Sequence, residues 1–279
     1  MSESPKELTP QEQEETLQKT VGIGARLDFM LGLIREGFMK GDVKQIKTYI
    51  EKADTELSKG GDWERTNKLT VYKGLLLLCS RDFKAAANAF VKSLATFTPC
   101  ELLTFRDFVF YTITTSLVAM DRLTLKKKVL DSPEILSIVG EIPFLREFVL
   151  SLYECRYADW SASFASLIDQ IRSDKYLQPH MRYITRSLRL VAYKQFLLSY
   201  KSVTIRMMAE AFGVTEDFIE DELSAFISAG KLHCKIDRIN RFVESNKLED
   251  PRNVLYGRII KQGDLLLNRI QKLSRVIDV

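Results

Sequence analysis

SVTIRMMAEAFGVTEDFIEDELSAFISAGKLHCKIDRINRFVE, residues 202–244, decides the fold. Ser202-Val203-Thr204 suits a short strand, after which Ile205, Met208, Ala209 and Phe212 fall on one helical face that stops at Gly213. Thr215 suits a helix N-cap, and Phe218, Ile219, Leu223, Phe226 and Ile227 form the apolar stripe of a second helix ending at Gly230. Leu232–Ile236 and Arg241–Glu244 then alternate apolar and polar as half-buried strands do, with Asp237–Asn240 as their connection. Helix, turn, helix and β-hairpin make a winged helix.

That fold often reads DNA, and charge tests the idea. The second helix would enter the groove, yet it carries Glu216, Asp217, Glu220, Asp221 and Glu222 against a duplex with about one negative charge per 1.7 Å. Residues 201–247 hold seven Lys+Arg and eight Asp+Glu, a net of −1, so no nucleic-acid footprint is expected. Lys235, Arg238 and Arg241 are the candidate edge residues of the wing. They form a small cationic patch of the kind that keeps a solvated hairpin edge from pairing at random.

Upstream, the pattern is helical throughout. Leu27, Met30, Leu31, Ile34 and Phe38 recur at spacings of three and four, Gly41-Asp42 interrupts them, and Val43, Ile46, Tyr49, Ile50 and Ala53 resume the period. The next pair repeats this plan with Leu69, Tyr72, Leu75, Leu76 and Cys79, an Arg81-Asp82 break, and Phe83, Ala86, Ala87, Phe90 and Leu94. The breaks lie 40 residues apart, near the period of helix-pair repeats of the tetratricopeptide type, and Ala85–Ala87 allow close helix approach. Helices are expected to continue over 101–120, 133–139, 143–155, 160–171 and 181–200. Pro133 and Pro143 start two of them, where a missing N–H costs nothing. The expected fold class is mainly α: a helical-repeat array, a winged helix and a long C-terminal helix.

Residues 253–279 form that last helix. Ile259, Leu266, Ile270, Leu273 and Ile277 make the seam of a coiled coil or helix bundle, with Gly263 in the remaining position. Leu265, Leu267, Ile260 and Val276 widen the apolar surface beyond one stripe, so helices of partner proteins are expected against it. From Arg252 onward six Lys+Arg face two Asp, which suits acidic partners. The expected organisation is an acidic, disordered lead-in (1–20), repeat pairs (21–100), a further helical part (101–200), the winged helix (201–247) and the bundling helix (252–279).

The rest of the chain excludes more than it suggests. A formal charge of +4 is too small to imply nucleic acid or an anionic membrane, and no apolar run approaches the roughly 20 residues of a membrane span. Residues 1–20 hold five Glu and two Lys and almost no large apolar side chain before Leu17. Cys79, Cys100, Cys155 and Cys234 are scattered without a CxxC, which suits buried reduced thiols in the cytoplasm or nucleus. His180 and His233 are the only histidines, so a metal centre or histidine-based triad has little to draw on. Gly60-Gly61 lacks the Gly-Lys-Ser/Thr of a phosphate loop. No catalytic residue, cofactor, metal or small-molecule substrate is expected.

Several stretches carry a family resemblance: Gly60–Arg65 (GGDWER), Ser93–Thr98 (SLATFT), Ser151–Tyr157 (SLYECRY), Met208–Val214 (MAEAFGV), Gly230–Asp237 (GKLHCKID) and Lys261–Arg269 (KQGDLLLNR). A helical array running into a winged helix is the plan of PCI domains, and these stretches resemble the 26S proteasome non-ATPase regulatory subunit 6 family. The resemblance implies a non-catalytic scaffold of the regulatory-particle lid that meets other PCI subunits through its winged helix and joins a helical bundle through its last helix. Members usually carry further helices ahead of the matched segment, where this chain has its acidic lead-in. The alternatives are a PCI scaffold resembling subunit 1 of the COP9 signalosome, a nucleic-acid-binding winged helix, and a hydrolase.

Overall fold

The computed structural model describes residues 15–17, 19–60, 62–98, 101–140, 142–245 and 251–277. The backbone clusters into two compact units, residues 1–189 and 190–279. Most of the expected lead-in, residues 1–14 and 18, lies outside the described residues. Its described part is helical, with the Thr20 amide donating to the Thr16 carbonyl at 3.1 Å.

Unit 1 begins with two helical hairpins, α1 (Ile23–Lys40) with α2 (Val43–Leu57) and α3 (Trp63–Cys79) with α4 (Phe83–Ser93). Each hairpin turns the same way. Gly41 (φ +78°) and Arg81 (φ +69°) take the left-handed conformation. The next amide then reaches back five residues, Asp42 to the Gly37 carbonyl at 3.1 Å and Asp82 to the Leu77 carbonyl at 2.9 Å. The aspartate then caps the following helix, Asp42 through the amides of Lys44 and Gln45 and Asp82 through that of Ala85.

Two glycines let the paired helices close. A Cβ at Gly37 would lie 2.8 Å from Ile46 Cγ1, and one at Gly74 would lie 2.5 Å from Phe90 Cε1. Of the alanines of α4 expected to face a neighbour, Ala86 and Ala87 are fully buried and Ala85 is half-buried. Arg65 links α1 to α3 through a two-pronged contact with Asp28, both N–O distances 2.8 Å, and holds that carboxyl below its ordinary value.

A third hairpin of this kind was hidden in the sequence. After α5 (Phe105–Ala119), α6 (Arg122–Leu125) runs into a π-helical turn, Lys126–Leu130. Then α7 (Pro133–Val139) leads to α8 (Pro143–Tyr153) and α9 (Tyr157–Ser173). Cys155 (φ +64°) is the left-handed residue between α8 and α9, and the Arg156 amide returns to the Ser151 carbonyl at 2.8 Å. The expected helix ending at Cys155 therefore stops two residues early, and its partner starts at Tyr157, not Trp160. Cys155 is exposed, against the expectation of a buried thiol; Cys234 is buried, Cys79 half-buried, and Cys100 lies outside the described residues.

The core of unit 1 runs through α5, buried on every side from Phe108 to Leu117. Its threonines avoid the cost of buried hydroxyls by donating to carbonyls one turn back, Thr112 to Phe108 and Thr114 to Phe110, both at 2.8 Å. Phe90 meets Phe108 edge-on with ring centroids 5.5 Å apart.

A 3-10 turn, Gln178–His180, precedes α10 (Met181–Ser199). Unit 2 then holds β1 (Ser202–Thr204), α11 (Ile205–Phe212), α12 (Glu216–Ser228), β2 (Cys234–Asp237), β3 (Phe242–Ser245) and α13 (Pro251–Ile277). The sheet order is β1-β3-β2, antiparallel, with Val203 opposite Val243 and Ile236 opposite Val243 on its other side. This is a winged helix. Met208, Phe212, Ile219, Leu223, Phe226 and Val243 fill it, and Tyr193 and Phe196 of α10 pack their rings on Phe212 at 4.9 and 5.6 Å. Two residues assigned to apolar stripes are exposed, Phe218 at 41% and Val43 at 48%, each at the opening turn of its helix, and Leu76, Cys79 and Ile227 are half-buried. His233 is also exposed, alternating with buried Leu232 and Cys234, and the strand starts one residue after it.

Candidate interaction surfaces

The wing is built by a turn held from one end. Asp237 accepts from the Ile239 amide at 2.9 Å, the Asn240 amide at 3.3 Å and the Asn240 side chain at 3.0 Å, and these bonds hold its carboxyl below the ordinary range. Arg241 follows in the left-handed region (φ +51°). Its guanidinium meets Glu216 at 3.0 Å, and that of Arg238 meets Glu220 at 2.8 Å. Glu216 and Glu220 are one turn apart on α12, so the two wing cations neutralise two of the acids that made the helix unsuited to DNA. Such exposed pairs stabilise by about 0–1 kcal/mol each, so the wing is held against α12 without being locked. Lys235 stands exposed on β2, opposite Glu244 of β3.

Glu222 behaves differently from the other acids of α12. It is half-buried and accepts from the Tyr193 hydroxyl at 2.6 Å, tying α12 to α10. Glu222 is thus engaged by α10, a partner that position along a helix does not reveal.

α13 is 27 residues long, about 40 Å at 1.5 Å per residue. Eleven of its large apolar side chains are more than half exposed. The seam residues Ile259, Leu266, Ile270, Leu273 and Ile277 stand at 53%, 59%, 57%, 60% and 75%. A helix this apolar and this exposed is unusual, because single chains rarely leave contiguous apolar patches beyond a few hundred Å².

Unit 1 contains a part-buried polar joint. Arg81 Nε donates to His180 Nδ1 at 3.3 Å, and the imidazole lies edge-on to Phe83, centroids 5.9 Å apart. Burial first, then the Arg81 charge, lowers the His180 pKa from its ordinary 6.5, against a backbone hydrogen bond at Cys79 that raises it. Nearby, the Tyr111 hydroxyl donates to Asp174 at 2.6 Å, and burial and that carboxylate push the phenol up.

His180 is therefore neutral when folded and binds a proton more readily when unfolded. Its stabilising contribution is full above about pH 6.5 and is lost as pH falls through the lower folded value. Denaturant unfolding is expected to show lower stability at pH 5.5 than at 7.5. The His180→Asn variant, which keeps an acceptor for Arg81, is expected to flatten that dependence, and an unchanged pH slope would contradict this account.

Among the described residues no group of three or more His, Cys, Asp or Glu is placed to hold a metal ion, and no helix is long and apolar enough to cross a membrane. A cavity of ≈300 Å³ is lined mainly by Ile113, Val129, Ile135, Val149 and Tyr153. Lys126, Asp131, Arg146 and Glu154 also line it, charges of both signs.

Comparison with known proteins accounts for most of the length. The family model described as 26S proteasome subunit RPN7 matches residues 7–128, that of the PCI domain residues 165–247, and that of the 26S proteasome regulatory subunit RPN7/PSMD6 C-terminal helix residues 256–277. The 26S proteasome non-ATPase regulatory subunit 6 of Oryza sativa subsp. japonica is 51% identical over 274 residues, 98% of this chain and 70% of the relative. Its homolog from Arabidopsis thaliana is 50% identical over 276 residues, 99% and 71%. The Dictyostelium discoideum protein of the same name is 42% identical over 265 residues, 95% and 69%. With its winged helix inside the PCI match and the C-terminal-helix match falling within its exposed α13, the chain belongs to the family of 26S proteasome non-ATPase regulatory subunit 6.

Proposed function

We propose that this chain is a non-catalytic scaffold subunit of the 26S proteasome regulatory-particle lid, serving ubiquitin-dependent protein degradation by holding other PCI subunits in place. The observation that carries the proposal is α13: a long helix whose apolar seam, Ile259, Leu266, Ile270, Leu273 and Ile277, is exposed and needs partner helices to cover it. The winged-helix edge with Lys235, Arg238 and Arg241 supplies the second contact. Membership of the subunit 6 family favours the proteasome over the signalosome. Residence in both cytoplasm and nucleus, where such particles would work, is part of the proposal.

Affinity purification of the full chain, with identification of the subunits that come with it, tests this. Other PCI subunits of the regulatory particle are expected at equal stoichiometry; their absence would overturn the assignment. The nucleic-acid alternative has its own test. With Arg238 and Arg241 paired to α12, duplex DNA at about 0.1 M salt is expected to bind no better than roughly 10⁻⁴ M. Tight binding with a steep salt dependence, abolished by Arg238→Gln and Arg241→Gln, would favour the winged helix as a reader of DNA.

A further inference from the structure

The π-helical turn Lys126–Leu130, closed by the Asp131 amide donating to the Lys126 carbonyl at 3.0 Å, forms one wall of the ≈300 Å³ cavity in unit 1. Ile113 of α5, Ile135 of α7 and Val149 of α8 join Val129 of that turn in an apolar floor, and all four are buried. Lys126, Leu136 and Arg146 stand exposed around it, so the floor is reached from solvent. We propose that this cavity binds a small aliphatic carboxylate, with the chain on the floor and the carboxylate at Lys126 and Arg146. The inference does not depend on the scaffold assignment.

π-Helical turns are rare, and within helices they recur at functional sites. Here the turn sets Lys126, Val129 and Leu130 on the same cavity. Tyr153 of α8 gathers charge beside it: Arg122 and Lys126 both lie over its ring, 4.8 and 5.6 Å from the centroid, and Arg122 also donates to its carbonyl. The acids of the lining do not cancel that charge. Glu154 already accepts from Arg156 at 2.8 Å, which leaves Lys126 and Arg146 against Asp131 and a net positive rim. An apolar floor with a few charged groups at one end is how small-ligand sites fix both affinity and orientation. At about 30 Å³ per non-hydrogen atom, the share of a water molecule, the cavity holds roughly ten such atoms, the size of octanoate.

An aliphatic amine fits poorly, because its ammonium would meet Lys126 and Arg146. A sugar or a nucleotide fits poorly too, because Ile113, Val129, Ile135 and Val149 offer its polar groups no hydrogen bond.

Calorimetric titration of the full chain with octanoate is expected to show one site with a Kd of about 10⁻⁴ M, ordinary for a ligand of this size. From butyrate to octanoate, each added methylene should tighten binding about fourfold. Lys126→Glu with Arg146→Glu, both exposed, is expected to weaken octanoate roughly tenfold or more. Lys127→Glu with Lys128→Glu makes the same charge change at exposed residues that do not line the cavity, and should weaken it far less. Octan-1-ol should bind more weakly than octanoate and be indifferent to the first pair. Methyl resonances of Ile113, Ile135 and Val149 should shift on saturation, and matching melting curves check that both charge variants keep the fold. The absence of saturable octanoate binding up to about 10 mM would overturn the proposal. So would octylammonium or octan-1-ol binding as tightly as octanoate, or equal weakening by Lys127→Glu with Lys128→Glu. Shifts confined to the exposed methyls of α13 would overturn it as well, since they would place the chain on the seam.

Discussion

Replacing Phe90 with alanine is expected to cost unit 1 about 3–5 kcal/mol, a large share of the 5–15 kcal/mol that holds a typical domain together. Phe90 is fully buried, stands edge-on to Phe108, and lies against the bare backbone of Gly74. Truncation removes the ring's transfer free energy and leaves a void that the rigid hairpin cannot close. Gly74→Ala attacks the same contact from the other side, since its Cβ would sit 2.5 Å from Cε1 and 2.8 Å from Cδ1 of that ring. Overpacking of this kind costs about 1–3 kcal/mol, against roughly 1 kcal/mol gained from alanine's helix propensity. The two positions should be coupled: Gly74→Ala is expected to be less harmful in a Phe90→Leu background than alone. Urea unfolding of the four chains completes the cycle, and strict additivity would mean that the approach of α3 and α4 does not depend on this pair.

The second large effect concerns assembly and leaves folding almost untouched. Leu266→Asp, Ile270→Asp and Leu273→Asp together should abolish co-purification of partner subunits. Three carboxylates in a desolvated seam each carry a penalty of several kcal/mol, enough to erase more than about a thousandfold of affinity. The chain by itself should barely notice, because these side chains are already 57–60% exposed and such surface changes usually fall within about 0.5 kcal/mol. Matching melting curves with lost partners is the expected pair of results. A variant that melts early would instead point to α13 packing on its own chain.

The winged helix could be read from residues 202–244 because every break in it is chemically marked. Gly213 and Gly230 supply the left-handed turns, Thr204 caps α11 through the Met207 amide, and alternation betrays the strands. The hairpins of unit 1 were legible only where a capping aspartate followed the turn. Cys155 takes the same left-handed conformation as Gly41 and Arg81, but arginine follows it instead of aspartate, and cysteine carries no turn signature. Gly37 and Gly74 look in sequence like weak points of helices, and only the partner helix explains them. The helix α13 and the line of its apolar residues were legible because the spacing is local. The pairing of Arg238 and Arg241 with Glu220 and Glu216 was not, since it depends on how the wing folds back on α12.

Charge and exposure together separate two uses of one fold. A winged helix that reads DNA presents a cationic helix to the groove, whereas α12 is acidic and the wing arginines are occupied by its carboxylates. The exposed large apolar side chains are concentrated on α13. That asymmetry makes assembly the property to measure.

Hydrogen–deuterium exchange over residues 255–277, in the free chain and in the assembled particle, tests the central claim most directly. α13 is expected to exchange quickly when free, as an isolated amphipathic helix does, and to become strongly protected once partner helices cover the seam. Strong protection already present in the free chain, or fast exchange persisting in the particle, would contradict the assignment of α13 as the assembling contact.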